Sequence, residues 1–225
     1  MTSSLLADSA TMITHPQLYL LTNDDEFGLL YQKLEIALAT GAVSLLQVRR
    51  KQILAQSNGR EQVYSEAQQL LALATRYNVA MVMNDDVALA RQLGIGVHLG
   101  QGDGEVTMAR QALGEQVIIG RTCHQSLDLV QAALQEGANY AAMGAVFAST
   151  TKPEAQIVSR EALVAGAQQG IDLCVIGGIT AENIGELRGV PIRYVAVVGD
   201  ILNLPVTAIA ARCELWQQEL SRWYK

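Results

Sequence analysis

An apolar run at residues 43–46 is followed by three alternating polar residues, Gln47, Arg49 and Lys51. Alternate residues of an extended chain point to the same side, so this spacing would bring an amide and two cations together. Arginine offers phosphate a bidentate fork and lysine offers a point charge. The pattern favours an anion site, with a solvated strand end as the alternative. Arg50 would point the other way, where an ordinary surface role is favoured.

Carboxylates follow the next two apolar runs. Asn84, Asp85 and Asp86 come directly after the run Ala80–Met83, and Asp103 follows the run after that. Mg²⁺ prefers oxygen ligands and usually takes one or two carboxylates together with substrate phosphates. Asp85 and Asp103 are therefore the candidate metal ligands. Asp86 is interpreted as the N-cap of the helix that follows.

Hydroxyl-bearing and glycine residues follow the later apolar runs. They are Thr122, then Ser149, Thr150, Thr151 and Lys152, then Gly177 and Gly178, and finally Val198 and Gly199. Hydroxyls, free backbone amides and a lysine suit phosphate oxygens. Ordinary polar turns are the alternative interpretation for each of these segments.

The apolar runs themselves predict eight short strands that are buried on both faces, since they lack polar alternation. They are Leu18–Thr22, Ser44–Val48, Ala80–Asn84, Gly96–Leu99, Gln116–Gly120, Tyr140–Gly144, Leu173–Gly177 and Tyr194–Val198. Amphipathic helical stretches lie between them, including Phe27–Ala39, Glu61–Arg76, Leu127–Glu136, Arg160–Gln168 and a closing helix over about Ala208–Trp223. Asn23 or Asp24 could cap the first helix, and Ser126 or Asp128 could begin the third. Gly41, Gly94, Gly137 and Gly170 are predicted helix stops.

Eight strands alternating with helices predict an α/β fold, a single (β/α)8 TIM barrel over residues 1–225, with an open doubly wound sheet as the runner-up. Residues 1–16 are interpreted as an N-terminal extension and residues 203–225 as the segment that carries the closing helix. In such barrels the chemistry lies at the C-terminal ends of the strands. The polar clusters described above all fall at or near predicted strand ends.

The composition argues against some classes of function. The chain has 225 residues, 50% of them apolar and 17% charged, and its formal net charge is −6. With no basic tail or face, nucleic-acid binding is not expected. No apolar run is long enough for a membrane span and no signal peptide is recognised, so a cytoplasmic protein is expected.

The cysteines and histidines are interpreted as structural. Cys123, Cys174 and Cys213 are far apart and odd in number, which is typical of reduced thiols. His98 is expected to pack within a strand. His98, His124 and Cys123 show no spacing that indicates a zinc site.

Taken in order, the motifs LYLLTN, QVRRK, MNDD, GVHLGQGD, GRTCH, GAVFASTTKP, VIGGIT and VAVVGDI resemble the thiamine phosphate synthase family, which also contains thiazole tautomerase. The resemblance runs from about Leu18 to Leu202. It implies a transferase that joins a hydroxymethylpyrimidine diphosphate to a thiazole phosphate carboxylate, releasing pyrophosphate and CO2. It also implies small-molecule substrates, one Mg²⁺ per subunit and a homodimer.

The resemblance assigns roles to three sets of residues. Those implied for the pyrimidine diphosphate are Gln47, Val48, Arg49, Arg50, Lys51, Asn84, Thr122 and Lys152, with Arg49, Lys51, Thr122 and Lys152 as the catalytic set. Those implied for the thiazole phosphate are Ser149, Thr150, Thr151, Gly177, Gly178, Val198 and Gly199. Asp85 and Asp103 are implied as the Mg²⁺ ligands.

Several positions depart from the family pattern. Thr122 and Gly199 stand where serine is typical, Ser149 stands for threonine, and Ala145 and Ala148 stand where proline is frequent. Ala145 also occupies the place of the histidine that transfers protons in the tautomerase branch. That rival, a sugar-phosphate isomerase barrel and a non-catalytic phosphate-binding barrel are the alternatives.

Overall fold

The computed structural model describes residues 15–148 and 156–223. Eight strands form a closed, all-parallel barrel in which each strand pairs with its sequence neighbours and β1 pairs with β8. They are β1 Gln17–Leu21, β2 Val43–Val48, β3 Ala80–Asn84, β4 Gly96–Leu99, β5 Ile119–His124, β6 Tyr140–Met143, β7 Asp172–Ile176 and β8 Tyr194–Val197. The predicted (β/α)8 barrel is confirmed and the open sheet is wrong.

The predicted boundaries of the fifth strand are wrong. We expected Gln116–Gly120, but β5 runs over Ile119–His124. Its start is set by β4, since Val97 pairs with Ile119, and its polar second half remains paired with β6. Thr122 therefore lies inside a strand instead of in the loop that follows. Pairing with neighbouring strands outweighs the polar character of this segment.

The helices that surround the barrel are α1 Phe27–Ala39, α2 Lys51–Leu54, α3 Gly59–Arg76, α4 Val87–Leu93, α5 Val106–Leu113, α6 Leu127–Gln135, α7 Arg160–Ala167, α8 Gly199–Leu202 and α9 Ile209–Ser221. Two 3-10 turns lie at Ile184–Leu187 and Val206–Ala208. Glu26, and neither Asn23 nor Asp24, caps α1 by accepting from the amides of Gly28 and Leu29. Ser126 caps α6 as expected, with its Oγ accepting from the amide of Leu129.

Left-handed glycines end or follow four of these helices. Gly41, Gly94, Gly137 and Gly170 have φ angles of 70°, 68°, 89° and 86°. A side chain is disfavoured in that conformation, so the predicted helix stops are confirmed.

Two apolar layers make up the core. The outer layer lies between strands and helices and includes the fully buried Trp216 of α9. The smaller inner layer fills the barrel and contains three tyrosines, Tyr19, Tyr140 and Tyr194, packed edge-to-face. An inner layer built from tyrosines carries polar groups into the barrel axis.

The cysteine prediction is confirmed. All three cysteines lie in the described ranges and are buried free thiols. Burial raises the pKa of the Cys123 thiol to about 12 and that of Cys213 to about 11. In the part of the chain that the structure describes, no helix combines the length and apolar character that crossing a membrane requires.

Candidate active site

The end of β2 and the start of α2 carry the predicted alternating cations. Gln47 is buried inside the barrel with 2% exposure. Arg49 is held by its backbone, since its amide donates to Oγ1 of Thr22 at 2.8 Å and its carbonyl accepts from that hydroxyl at 3.1 Å. Lys51 is exposed and its Nζ lies 3.2 Å from Oδ2 of Asp85, the residue that follows β3. Gln47 therefore points into the barrel, and Lys51, which begins α2, lies beside Asp85 at the rim.

The side chains of Val48 and Arg50, both predicted for the diphosphate site, point away from this group. Val48 packs in the outer core against the helices. The Arg50 guanidinium, with 1% side-chain exposure, donates to both carboxylate oxygens of Glu66 on α3 and to the carbonyls of Asn23 and Asp25. The strand period aims both residues away from the barrel axis.

Asp85 and Asp103 meet where the loops after β3 and β4 adjoin. Oδ1 of Asp85 accepts from the amide of Gly100 at 3.2 Å, and Oδ2 accepts from Nδ2 of Asn84 at 2.5 Å. A Cβ placed on Gly100 would collide with the Asp103 carboxylate and lie 3.7 Å from Oδ1 of Asp85. Asp85 has a φ of 64°, a conformation that non-glycine residues rarely adopt. The strained backbone turns its carboxylate towards the same space.

The electrostatics of this pair favour a cation. The pKa of Asp103 is raised by burial, by the negative charge of Asp85 and by a hydrogen bond with that residue, against the smaller effect of Lys51. Among the described residues no group of three or more His, Cys, Asp or Glu side chains could hold a metal. Two carboxylates are thus the ligands that this region offers. Mg²⁺ accepts that number when water and phosphate oxygens complete its shell, so the residues fit the predicted ion.

The neighbouring Asp86 has a different role. Its Oδ1 accepts from the amide of Leu89 at 2.8 Å and caps α4, and its carboxylate pairs with Arg60 of α3 at 3.1 Å. The capping interpretation is confirmed. Of these two adjacent aspartates, Asp85 therefore lies at the rim and Asp86 caps a helix.

Thr122 joins a hydrogen-bond chain that crosses the barrel. Its Oγ1 lies 2.9 Å from Nε2 of His98, whose Nδ1 lies 2.9 Å from the hydroxyl of Tyr140. That hydroxyl is 2.8 Å from the hydroxyl of Tyr19, which accepts from Nε2 of Gln47 at 2.5 Å. Burial lowers the pKa of His98 to about 4 and raises the pKa of both tyrosines, so all three side chains are neutral.

Sequence reasoning missed Tyr19 and Tyr140 and gave His98 only a packing role. Each lies in a mainly apolar strand, where a single polar side chain looks like a packing residue. The available signal was that each is a residue able to form hydrogen bonds within a strand predicted to be buried on both faces. Their hydrogen bonds depend on barrel closure, which local sequence does not reveal.

The loops after β6 and β7 pack against each other. Gly177 and Gly178 have φ angles of 103° and 67°. A Cβ on Gly177 would come within 2.6 Å of Cβ of Ala145, and one on Gly178 within 2.6 Å of the carbonyl oxygen of Ala148. The two glycines are therefore required by close packing as well as by conformation. Ser149, Thr150, Thr151 and Lys152 lie outside the described residues.

Val198 and Gly199 begin α8 directly after β8. Asp200 in its first turn is anchored from α9, because its Oδ2 accepts from Nε of Arg212 at 2.8 Å and from Nε1 of Trp216 at 2.7 Å. A short helix after strand 8 is where (β/α)8 barrels often bind phosphate. The closing helix α9 thus holds the last predicted loop in place.

Fold and rim together define a (β/α)8-barrel protein whose cations and paired carboxylates gather at the C-terminal ends of its strands. A model of the thiamine monophosphate synthase family matches residues 18–201, and the chain belongs to that family. The thiamine-phosphate synthase of Saccharophagus degradans is 41% identical over 189 residues, which cover 83% of this chain and 84% of that protein.

Solved structures show the same fold at low sequence identity. A thiamine phosphate pyrophosphorylase from Pyrococcus furiosus superposes with a TM-score of 0.76 and 22% identity, covering 93% of this chain and 97% of that one. A 3-keto-L-gulonate-6-phosphate decarboxylase from Vibrio cholerae gives a TM-score of 0.68 and 14% identity over 94% and 100% of the two chains. These two comparisons support the barrel alone.

Proposed function

We propose that the protein is a thiamine phosphate synthase, which condenses 4-amino-2-methyl-5-(diphosphooxymethyl)pyrimidine with a thiazole phosphate carboxylate to give thiamine phosphate, pyrophosphate and CO2. Family membership and the 41% identical relative support this class of reaction. The observation that carries the proposal is the meeting of Lys51, Asp85 and Asp103 at one point of the rim. Two carboxylates and a cation together suit a metal-bound diphosphate.

The first step breaks the bond between the pyrimidine methylene carbon and the diphosphate oxygen. Both electrons leave with pyrophosphate, so negative charge grows on the departing oxygens. Arg49 and Lys51 stabilise that charge, and Lys152 is proposed to do so from its sequence position. Mg²⁺ held by Asp85 and Asp103 would neutralise further charge on the diphosphate.

The second step joins the two rings. The thiazole nitrogen donates its electron pair to the pyrimidinyl-methyl cation. Loss of CO2 then leaves the electron pair of the broken bond on the ring carbon, and a proton from solvent adds there to complete the product. No protein base is needed for this capture. The inner layer of Tyr19, Tyr140 and Tyr194 closes the barrel below the rim and would limit water attack on the cation.

We place the thiazole phosphate between the loops after β7 and β8. Gly177, Gly178, Val198 and Gly199 would offer backbone amides there, and Ser149, Thr150 and Thr151 would offer hydroxyls. The anchoring of α8 by Arg212 and Trp216 through Asp200 supports this placement, since preorganised amides bind anions without further ordering cost.

The direct test measures pyrophosphate release from the two substrates with and without Mg²⁺. We expect release that requires both substrates and the metal. Asp85→Ala should remove most turnover, whereas the adjacent Asp86→Ala should keep it and lose about 1 kcal/mol of stability with the α4 cap. Release that is independent of metal, or equal turnover in the two variants, would contradict the proposal. Isomerisation of the thiazole without pyrophosphate release would favour the tautomerase instead.

A further inference from the structure

The inside of the barrel holds a continuous hydrogen-bond chain of five side chains, in the order Gln47, Tyr19, Tyr140, His98 and Thr122. They come from β2, β1, β6, β4 and β5, and each link is between 2.5 and 2.9 Å long. Two of the five, at the ends of the chain, are predicted substrate contacts. The three between them reach the substrate only through those ends.

Donor counting gives the chain a direction. Nε2 of Gln47 donates to the hydroxyl of Tyr19. With its oxygen occupied as an acceptor, Tyr19 directs its proton to the oxygen of Tyr140. Tyr140 then donates to Nδ1 of His98, whose proton must lie on Nε2 and is donated to Oγ1 of Thr122. The hydroxyl proton of Thr122 remains available at the other end.

The opposite direction is disfavoured while Gln47 keeps this orientation. If His98 donated from Nδ1 to Tyr140, Tyr140 would donate to Tyr19. Tyr19 would then accept twice, and its own proton would have no acceptor among the described residues. Leaving a buried donor unsatisfied costs about 1–3 kcal/mol. Reversal therefore requires an acceptor in place of the Gln47 amino group.

We propose that Tyr19, Tyr140 and His98 are positioning residues that couple the amide of Gln47 to the hydroxyl of Thr122. In this direction Gln47 presents its Oε1 acceptor, which accepts no hydrogen bond from any described residue, while Thr122 presents a donor. One acceptor and one donor, three strands apart, suit a heteroaromatic ring that has both an amino group and a ring nitrogen. This consequence for the substrate rests on the proposed function, whereas the direction of the chain does not.

The position of the His98 proton can be measured without any substrate. Imidazole ¹⁵N spectra of the free protein contain three histidines, and His98→Asn identifies the signals of His98. We expect the Nε2–H tautomer in the unsubstituted protein. In Gln47→Glu, an ionised carboxylate beside Tyr19 can only accept, so the whole chain should reverse and His98 should carry its proton on Nδ1.

Tyr194→Phe is the matched control. Tyr194 packs edge-to-face against Tyr19 and Tyr140, but its hydroxyl makes no hydrogen bond to a described residue. Tyr19→Phe and Tyr140→Phe should raise KM for the pyrimidine diphosphate about fivefold, the value of one hydrogen bond, and leave KM for the thiazole phosphate unchanged. Tyr194→Phe should change neither constant nor the tautomer.

Two results would overturn the inference. One is an Nδ1–H tautomer in the unsubstituted protein. The other is an Nε2–H tautomer that persists in Gln47→Glu from neutral to mildly alkaline pH. Absence of pyrophosphate release by the unsubstituted enzyme would instead refute the proposed function and leave the tautomer result intact.

Discussion

Replacing Arg50 by methionine tests whether this arginine is structural. Its guanidinium is buried, and it pairs with Glu66 while donating to two carbonyls of the loop after β1. In Arg50→Met the Glu66 carboxylate would keep only Nε2 of Gln62, at 2.9 Å, as a donor among the described residues. A buried charge without its partner is strongly destabilising.

The size of the effect follows from this burial. The side chains of Arg50 and Glu66 are 1% and 5% exposed. Removing one partner of such a pair costs about 3–5 kcal/mol, which for a chain of this length lowers Tm by about 6–20 °C. Arg60→Met is the matched control, because Arg60 lies on the same helix as Glu66, is 52% exposed and pairs with Asp86. Exposed pairs contribute about 1 kcal/mol or less.

The assay combines thermal unfolding followed by circular dichroism with steady-state kinetics at a temperature well below the transition. Arg50→Met should lower Tm far more than Arg60→Met and change KM for the pyrimidine diphosphate by less than about threefold, well under 1 kcal/mol. A small Tm shift together with a large rise in KM would refute the reasoning, since it would place the Arg50 guanidinium on the diphosphate.

Three further outcomes are expected. Arg49→Ala should lower kcat about 10²–10³-fold with little change in Tm, as loss of a charge-stabilising group does. An unchanged kcat would show that Arg49 does not stabilise the leaving group. Arg121 donates to the carbonyls of Gly100 and Gly104, so Arg121→Leu should loosen the Asp103 loop and weaken Mn²⁺ binding, measured by EPR, about 10–100-fold. Hydrogen bonding to Arg212 lowers the pKa of Glu182 from 4.5 to about 2. Glu182→Gln should therefore cost about 1 kcal/mol or less at neutral pH, and the difference in unfolding free energy should vanish as pH falls from about 4.5 towards 2.

The sequence alone predicted the barrel and the end of the barrel at which its polar residues lie. Strands buried on both faces and regular alternation with helices are local properties, and parallel strands bring all their C-terminal ends to one rim. Gln47 points into the barrel and Asp86 caps its helix, because strand period and helix capping are set within a few residues. The boundaries of β5 were predicted wrongly, since pairing with β4 and β6 extends it over polar residues.

Tertiary structure decided which groups touch. Arg50 pairs with a carboxylate 16 residues away, and the hydroxyls of Tyr19 and Tyr140 meet across 121 residues. Local spacing determines the direction in which a side chain leaves the backbone. The distance between two side chains depends on how the strands tilt and close, and that closure is a property of the whole barrel.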